Sequence, residues 1–120
     1  MSDFTNVRFT LAVLDLASST NYYTSVLGLT IDFTAPGWTF LSRGSFRVML
    51  GECVDAMPPS KLGDHSWFAY VTVSDASILF AEYQTSGAEF TQALSDKPWD
   101  MREFGIRTID GHRIMFGQEL

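Results

Sequence analysis

Between Val7 and Leu14 apolar and polar side chains alternate, with Phe9, Leu11 and Val13 on one side and Arg8, Thr10 and Ala12 on the other. A period of two marks a half-buried strand. From Asp15 the spacing changes: Tyr23, Val26 and Leu27 share one face of a helix that Asp15 or Ser18 caps and Gly28 stops. Extended residues run from Leu29 to Thr34, and Pro36-Gly37 makes a turn. Trp38 to Arg43 and Ser45 to Leu50 pair as a hairpin around Gly44. A linker, Cys53 to Asp64, carries Pro58-Pro59 and Gly63. Beyond it Ser66 to Val73 is a strand, Ala76 to Thr85 a helix stopped by Gly87, and Ala88 to Gln92 a strand followed by a Pro98-containing loop. The last hairpin, Arg102 to Thr108 and Arg113 to Gln118, turns at Asp110-Gly111.

The halves share one grammar. Val13-Leu14-Asp15 and Val73-Ser74-Asp75 stand sixty residues apart, each closing a strand and opening a helix. The expected fold is α+β: two βαβββ modules in one domain spanning 1–120, whose mixed, curved sheets form a concave cup. Module one covers about 6–52, the linker 53–64 and module two 65–118.

Composition narrows the class. At 120 residues, 46% hydrophobic and 18% charged, the chain has the make-up of one globular domain with a real core. The aromatic share of 14%, with ten Phe, points to a surface or cleft that uses rings. No apolar stretch reaches membrane-spanning length, and Met1-Ser2-Asp3-Phe4 lacks the parts of a signal peptide, so a cytoplasmic protein without membrane partners is expected. Cys53 is the sole cysteine, which excludes an internal disulfide. A net charge of −6 argues against nucleic acid as a partner.

Several segments carry a resemblance. The Asn21-Tyr22-Tyr23 helix leading into Leu27-Gly28-Leu29, the paired modules and the terminal Asp110-Gly111-His112-Arg113-Ile114 resemble the vicinal oxygen chelate superfamily, which includes glyoxalases, extradiol dioxygenases and fosfomycin- and bleomycin-resistance proteins. Pro36-Gly37-Trp38-Thr39-Phe40-Leu41-Ser42-Arg43-Gly44, Ser66-Trp67-Phe68 and the ending Gly117-Gln118-Glu119-Leu120 are most similar to the bleomycin-resistance branch. The resemblance spans nearly the whole chain and implies a fold more than an activity, because this fold serves isomerases, dioxygenases, transferases and binding proteins.

In the enzymes of that superfamily four inward positions carry His, Glu or Gln around a metal. By the resemblance those positions here are Arg8, Met49, Phe68 and Met115. A guanidinium and a phenyl ring have no lone pair to give, and thioethers suit soft ions only. No metal and no other cofactor is therefore expected. The two histidines read as exposed turn residues, His65 at the edge of its strand and His112 at the terminal turn, and Glu52 and Cys53 read as loop residues.

Alternation sorts the strands into two faces. One, with Phe46, Val48, Leu50, Val71, Val73, Ile114 and Phe116, packs beneath the helices. The other holds Arg47, Met49, Phe68, Tyr70, Arg113 and Met115, and gains Glu103 and Arg107 if Phe104 and Ile106 face the helices. Arg107 is a candidate partner for Glu103. Rings at Trp38, Phe33, Phe40 and Trp99 add contact area, so the candidate ligand-binding set is Trp38, Phe33, Phe40, Met49, Phe68, Tyr70, Trp99, Arg47, Glu103 and Arg113. No residue is assigned a catalytic role. The expected protein is a homodimer of the bleomycin-resistance type that sequesters a drug or toxic metabolite without metal. The alternative is a metal-dependent glyoxalase-like lyase, isomerase or dioxygenase; a third reading is an interaction module whose cup is a dimer seam.

Overall fold

The computed structural model describes residues 2–120. Its element order is β1 (Phe9–Val13), α1 (Leu16–Ser25), β2 (Thr30–Ala35), β3 (Trp38–Arg43), β4 (Phe46–Glu52), β5 (Trp67–Thr72), α2 (Ala76–Ser86), β6 (Glu89–Lys97), β7 (Met101–Arg107) and β8 (Arg113–Glu119). This is βαβββ twice over. The strands form two mixed four-stranded sheets, ordered β1-β4-β3-β2 and β5-β8-β7-β6. In each, the first strand runs parallel to the last and the other neighbours are antiparallel. The linker holds a 3-10 segment, Pro59–His65, broken at Gly63 (φ 63°).

The same device fixes both helices. Asp15 accepts from the Ser18 N–H at 3.2 Å and Asp75 from the Ile78 N–H at 3.0 Å, so Asp15 rather than Ser18 is the first cap. A second unpaired N–H at each helix start reaches a strand end: Leu16 N–H donates to Glu52 at 2.9 Å and Ala76 N–H to Gln118 at 2.9 Å. Glu52 is thus the last residue of β4 and a tie between sheet and helix, not a loop residue. β6 likewise continues to Lys97, through residues expected to be loop.

Each helix covers one face of its own sheet. Val13, Leu41, Val48 and Leu50 lie buried beneath α1, and Phe104, Ile106, Ile114 and Phe116 beneath α2. Phe104 and Phe116 stack at 5.1 Å between centroids, with Tyr83 edge-on to Phe116 at 5.5 Å. Side-chain hydrogen bonds join the modules at several points. The Tyr83 hydroxyl donates to the Leu27 carbonyl at 2.9 Å, Ser86 Oγ donates to the Val26 carbonyl at 2.8 Å, and Arg43 forks onto Glu82 at 2.7 and 2.9 Å. Ser19 Oγ donates to both carboxylate oxygens of Asp110 at 2.9 Å.

His112 departs from the expected exposed turn residue. It is 8% exposed, its ring stands edge-on to Phe68 at 5.4 Å, and its Nδ1 has no partner. The turn closes inward because the Thr108 N–H donates to the His112 carbonyl at 2.8 Å and Ser66 Oγ donates to the Gly111 carbonyl at 2.8 Å. His65 is exposed.

Burial holds the His112 pKa below its ordinary value. The unfolded chain then takes up a proton first as pH falls, so stability is lost below about pH 6.5. Urea unfolding at pH 7 and pH 5 checks this: H112F is expected to show a smaller drop than wild type, and an equal drop would assign the acid sensitivity elsewhere. Tyr83→Phe is expected to cost about 1 kcal/mol, because Leu27 keeps the Arg43 donor while one buried hydrogen bond is lost. An unchanged urea midpoint would show that the hydroxyl does not help hold the modules together.

Candidate functional site

The face of each sheet turned away from its helix carries the candidate residues. On module one Arg47 and Met49 alternate with buried Phe46, Val48 and Leu50 along β4, and Trp38, Phe40 and Ser42 stand opposite Gly51, Met49 and Arg47. A bulge between Ile31 and Phe33 brings Asp32 and Phe33 to the same face. Phe33 packs edge-on against Phe40 at 5.6 Å and is 59% exposed. Trp38, 37% exposed, lies flat on Gly51, where an added Cβ would come within 2.8 Å of its ring. The glycine is what lets the indole lie down. Five of the ten candidates, Phe33, Trp38, Phe40, Arg47 and Met49, therefore share one surface.

Arg8 crosses that surface. Its Nη1 donates to the carbonyls of Leu41 and Val48 at 3.3 and 3.2 Å, its Nη2 to Asp32 at 3.1 Å, and its Cζ sits 5.2 Å from the Phe40 centroid. Ser42 donates to the other oxygen of Asp32 at 2.9 Å. That hydroxyl first, then Arg8 and the more distant Arg47, hold the Asp32 carboxyl below the usual carboxylate range.

On module two the carboxylate is buried and the rings are exposed. Glu103, 6% exposed, accepts from the Tyr70 hydroxyl at 2.6 Å and from Trp99 Nε1 at 3.0 Å through one oxygen. Its expected pairing with Arg107 does not occur, because Arg107 meets Glu89 across the β6–β7 ladder at 3.1 Å. Tyr70 lies over Gly117 as Trp38 lies over Gly51, and a Cβ at Gly117 would overlap its hydroxyl. Trp99 is 61% exposed and bonded through its nitrogen, from a turn where Asp100 adopts a left-handed φ of 62°. Arg113 turns to Asp64 of the linker at 3.1 Å.

Phe68 touches two neighbourhoods. A bulge between Trp67 and Ala69 breaks the alternation of β5, so Trp67 and Tyr70 share the open face while the Phe68 ring joins Phe9 and Phe46 at 5.8 and 6.5 Å. The Phe68 ring thus packs where the modules meet, while the residue still borders the cleft that Tyr70 lines. A short apolar run gives no sign of a bulge, and no residue in Ser66-Trp67-Phe68-Ala69 signals one. Trp67, 55% exposed, lines a cleft of about 350 Å³ with Phe68, Ala69, Tyr70 and Met115.

A further cavity, about 460 Å³, lies elsewhere. It separates the β3–β4 turn from α2 and is lined by Phe46, Val71, Leu79, Tyr83 and Phe116 under the Arg43–Glu82 bridge. None of the ten candidates reaches it.

The donor set does not fit a hard divalent ion. Arg8, Met49, Met115 and the Phe68 or Trp67 position offer a guanidinium, two thioethers and a ring. Among the described residues no three His, Cys, Asp or Glu side chains gather as a metal group, and no helix is long and apolar enough to cross a membrane.

Two four-stranded sheets, each backed by one helix and open on its other face, define a paired-βαβββ protein. The family model described as "Glyoxalase/Bleomycin resistance protein/Dioxygenase superfamily" matches residues 6–116, and the chain belongs to that superfamily. TioX from Micromonospora sp. ML1 superposes with a TM-score of 0.81 at 26% identity, covering 98% of this chain and 100% of that one. The bleomycin-binding protein from bleomycin-producing Streptomyces verticillus, solved with copper(II)-bleomycin, gives 0.74 at 20%, covering 97% of each chain. TnmS3, an antibiotic binding protein from Streptomyces sp. CB03234, gives 0.81 at 19%, covering 100% and 99%. The last two likenesses speak for the fold alone. Comparison with curated protein sequences gives no significant match.

Desolvation of its hydroxyl, and then the bond to Glu103, hold the Tyr70 phenol above its ordinary value. Following tyrosinate absorbance, with Tyr70→Phe as the assignment, E103Q is expected to move this titration part of the way back toward about 10. A midpoint unmoved by E103Q would mean that Glu103 does not hold the ring.

Proposed function

We propose that the protein binds a small aromatic organic molecule on its helix-free faces, without metal and without a bond-making step, and so sequesters a drug or toxic compound. The observation that carries this reading is the seating of Trp38 on Gly51 and of Tyr70 on Gly117. In each case a backbone without a side chain supports a large ring and leaves it partly open to solvent. Such rings give contact area at low conformational cost. A ligand ring would stack on Trp38 with Phe33 and Phe40 at its edge, while Arg47 and Glu103 would fix its orientation.

The donor set supports a metal-free site, since its groups suit stacking and polarity rather than coordination. A homodimer supplies the cover that one chain lacks. Thr10 and Ala12 of module one and Tyr70 and Thr72 of module two are exposed, so neither face is closed by the other within the chain. A partner chain would bring a second aromatic face to each.

Bleomycin and its copper(II) complex are the first probes. Quenching of tryptophan fluorescence is expected with a Kd of about 1 µM or below, unchanged after treatment with a chelator and weakened about tenfold or more by Trp38→Ala. Absence of quenching by these drugs ends the drug-sequestration version. Chelator-sensitive binding would return metal to the site.

A further inference from the structure

The arginines of the chain are matched to carboxylates with one exception. Arg8 meets Asp32 at 3.1 Å, Arg43 Glu82 at 2.7 Å, Arg102 Asp96 at 2.7 Å, Arg107 Glu89 at 3.1 Å and Arg113 Asp64 at 3.1 Å. Among the described residues Arg47 is the arginine left without a carboxylate. It sits on the helix-free face of β4, half-buried, opposite Ser42. Asp32 acts on Arg47 only at a distance, because its close ion pair is with Arg8 and its other oxygen accepts from Ser42. This corner of the sheet therefore holds two guanidinium groups for one carboxylate. The overall charge of −6 does not cancel that surplus. At physiological salt the screening length is about 8 Å, so distant acids count for little at Arg47.

We propose that module one recognises an aromatic carboxylate: Arg47 takes the acid group as a forked pair, and the ring system runs along Met49 toward Trp38. The inference rests on the binding reading above and names its ligand class. A guanidinium matches a carboxylate with two parallel N–H donors, which an ammonium cannot do. The geometry sets the size. Arg47 and Gly51, on which Trp38 lies, are four residues apart on β4, roughly 13 Å at strand rise. That span suits an acid attached to two or three fused rings. Arg8 does not compete for the acid, because its nitrogens are engaged by two carbonyls and Asp32 and its plane lies near Phe40.

Three naphthalene derivatives test this on the intact protein: 2-naphthoate, 2-naphthamide and 2-naphthylmethylammonium, which differ mainly in the charge of one substituent. By isothermal titration calorimetry naphthoate is expected to bind about tenfold or more tighter than the amide, and the ammonium weakest. R47Q is expected to bring naphthoate down to the level of the amide without changing amide binding, and R47K to fall between. R102Q removes the same charge from an arginine bonded to Asp96 and Ser77 on the helix side, and is expected to leave all three affinities unchanged. Equal binding of acid and amide, or preference for the ammonium, overturns the inference and leaves the aromatic-binding reading standing. An equal loss in R47Q and R102Q overturns it too, since the effect would then be long-range charge. Failure of all three to bind below about 1 mM removes the binding reading and the inference together.

Discussion

Each sheet has two faces, and each module supplies only one helix to cover them. The buried faces beneath α1 and α2 take the aliphatic and aromatic core, from Val13 and Leu50 in one module to Phe104 and Phe116 in the other. Burying those groups is the main favourable term in forming the modules. Among the described residues no helix covers the second face of either sheet. That shortage explains why Trp38, Tyr70 and Trp67 stand partly exposed on regular strands, and why mixed polar and aromatic side chains occur where a sandwich would bury aliphatics. It also explains why helix and sheet are tied at matched points. Glu52 and Gln118 occupy the same place in their modules, and each satisfies an N–H at the start of the covering helix.

The duplicated frame carries unlike chemistry. Trp38 faces Gly51 across β3–β4, and Glu103 faces Gly117 across β7–β8. One module thus places a ring where the other places a carboxylate, and module two recovers its ring from β5, where Tyr70 reaches over the glycine to Glu103. The cationic side chains diverge in the same way. Among the described residues Arg47 of module one has no carboxylate in close contact, whereas Arg113 of module two is drawn to the linker by Asp64. Two faces of one fold therefore present opposite charge beside similar rings.

Much of this was legible in the sequence because it is periodic. The repeated Val-x-Asp junctions, the glycine stops and the Asp110-Gly111 turn mark nearly every element, and alternation along β4 and β8 assigns faces correctly. What escaped is aperiodic. The bulge at Trp67 to Ala69 carries no residue that signals it, so alternation alone does not show that the Phe68 ring reaches Phe9 and Phe46. Burial of His112 depends on Phe68, and hence on the same bulge. The strand-end role of Glu52 depends on a helix that starts thirty-six residues earlier, and no local pattern reports it. The Glu103 partners were missed for a related reason: Tyr70 lies two strands away in the sheet order, beyond what adjacent-strand pairing can suggest.

The open faces are assembled from positions that the core does not use. Substitutions at Trp38, Phe33 or Arg47 change no residue beneath α1, so ligand preference can drift while the fold is retained. Gly51 and Gly117 are the exceptions, since a side chain at either would unseat the ring above it. Such a scaffold separates inheritance of shape from inheritance of specificity. Its descendants are expected to differ most in the rings and charges of the bare faces, and least at the two glycines that let a ring lie flat.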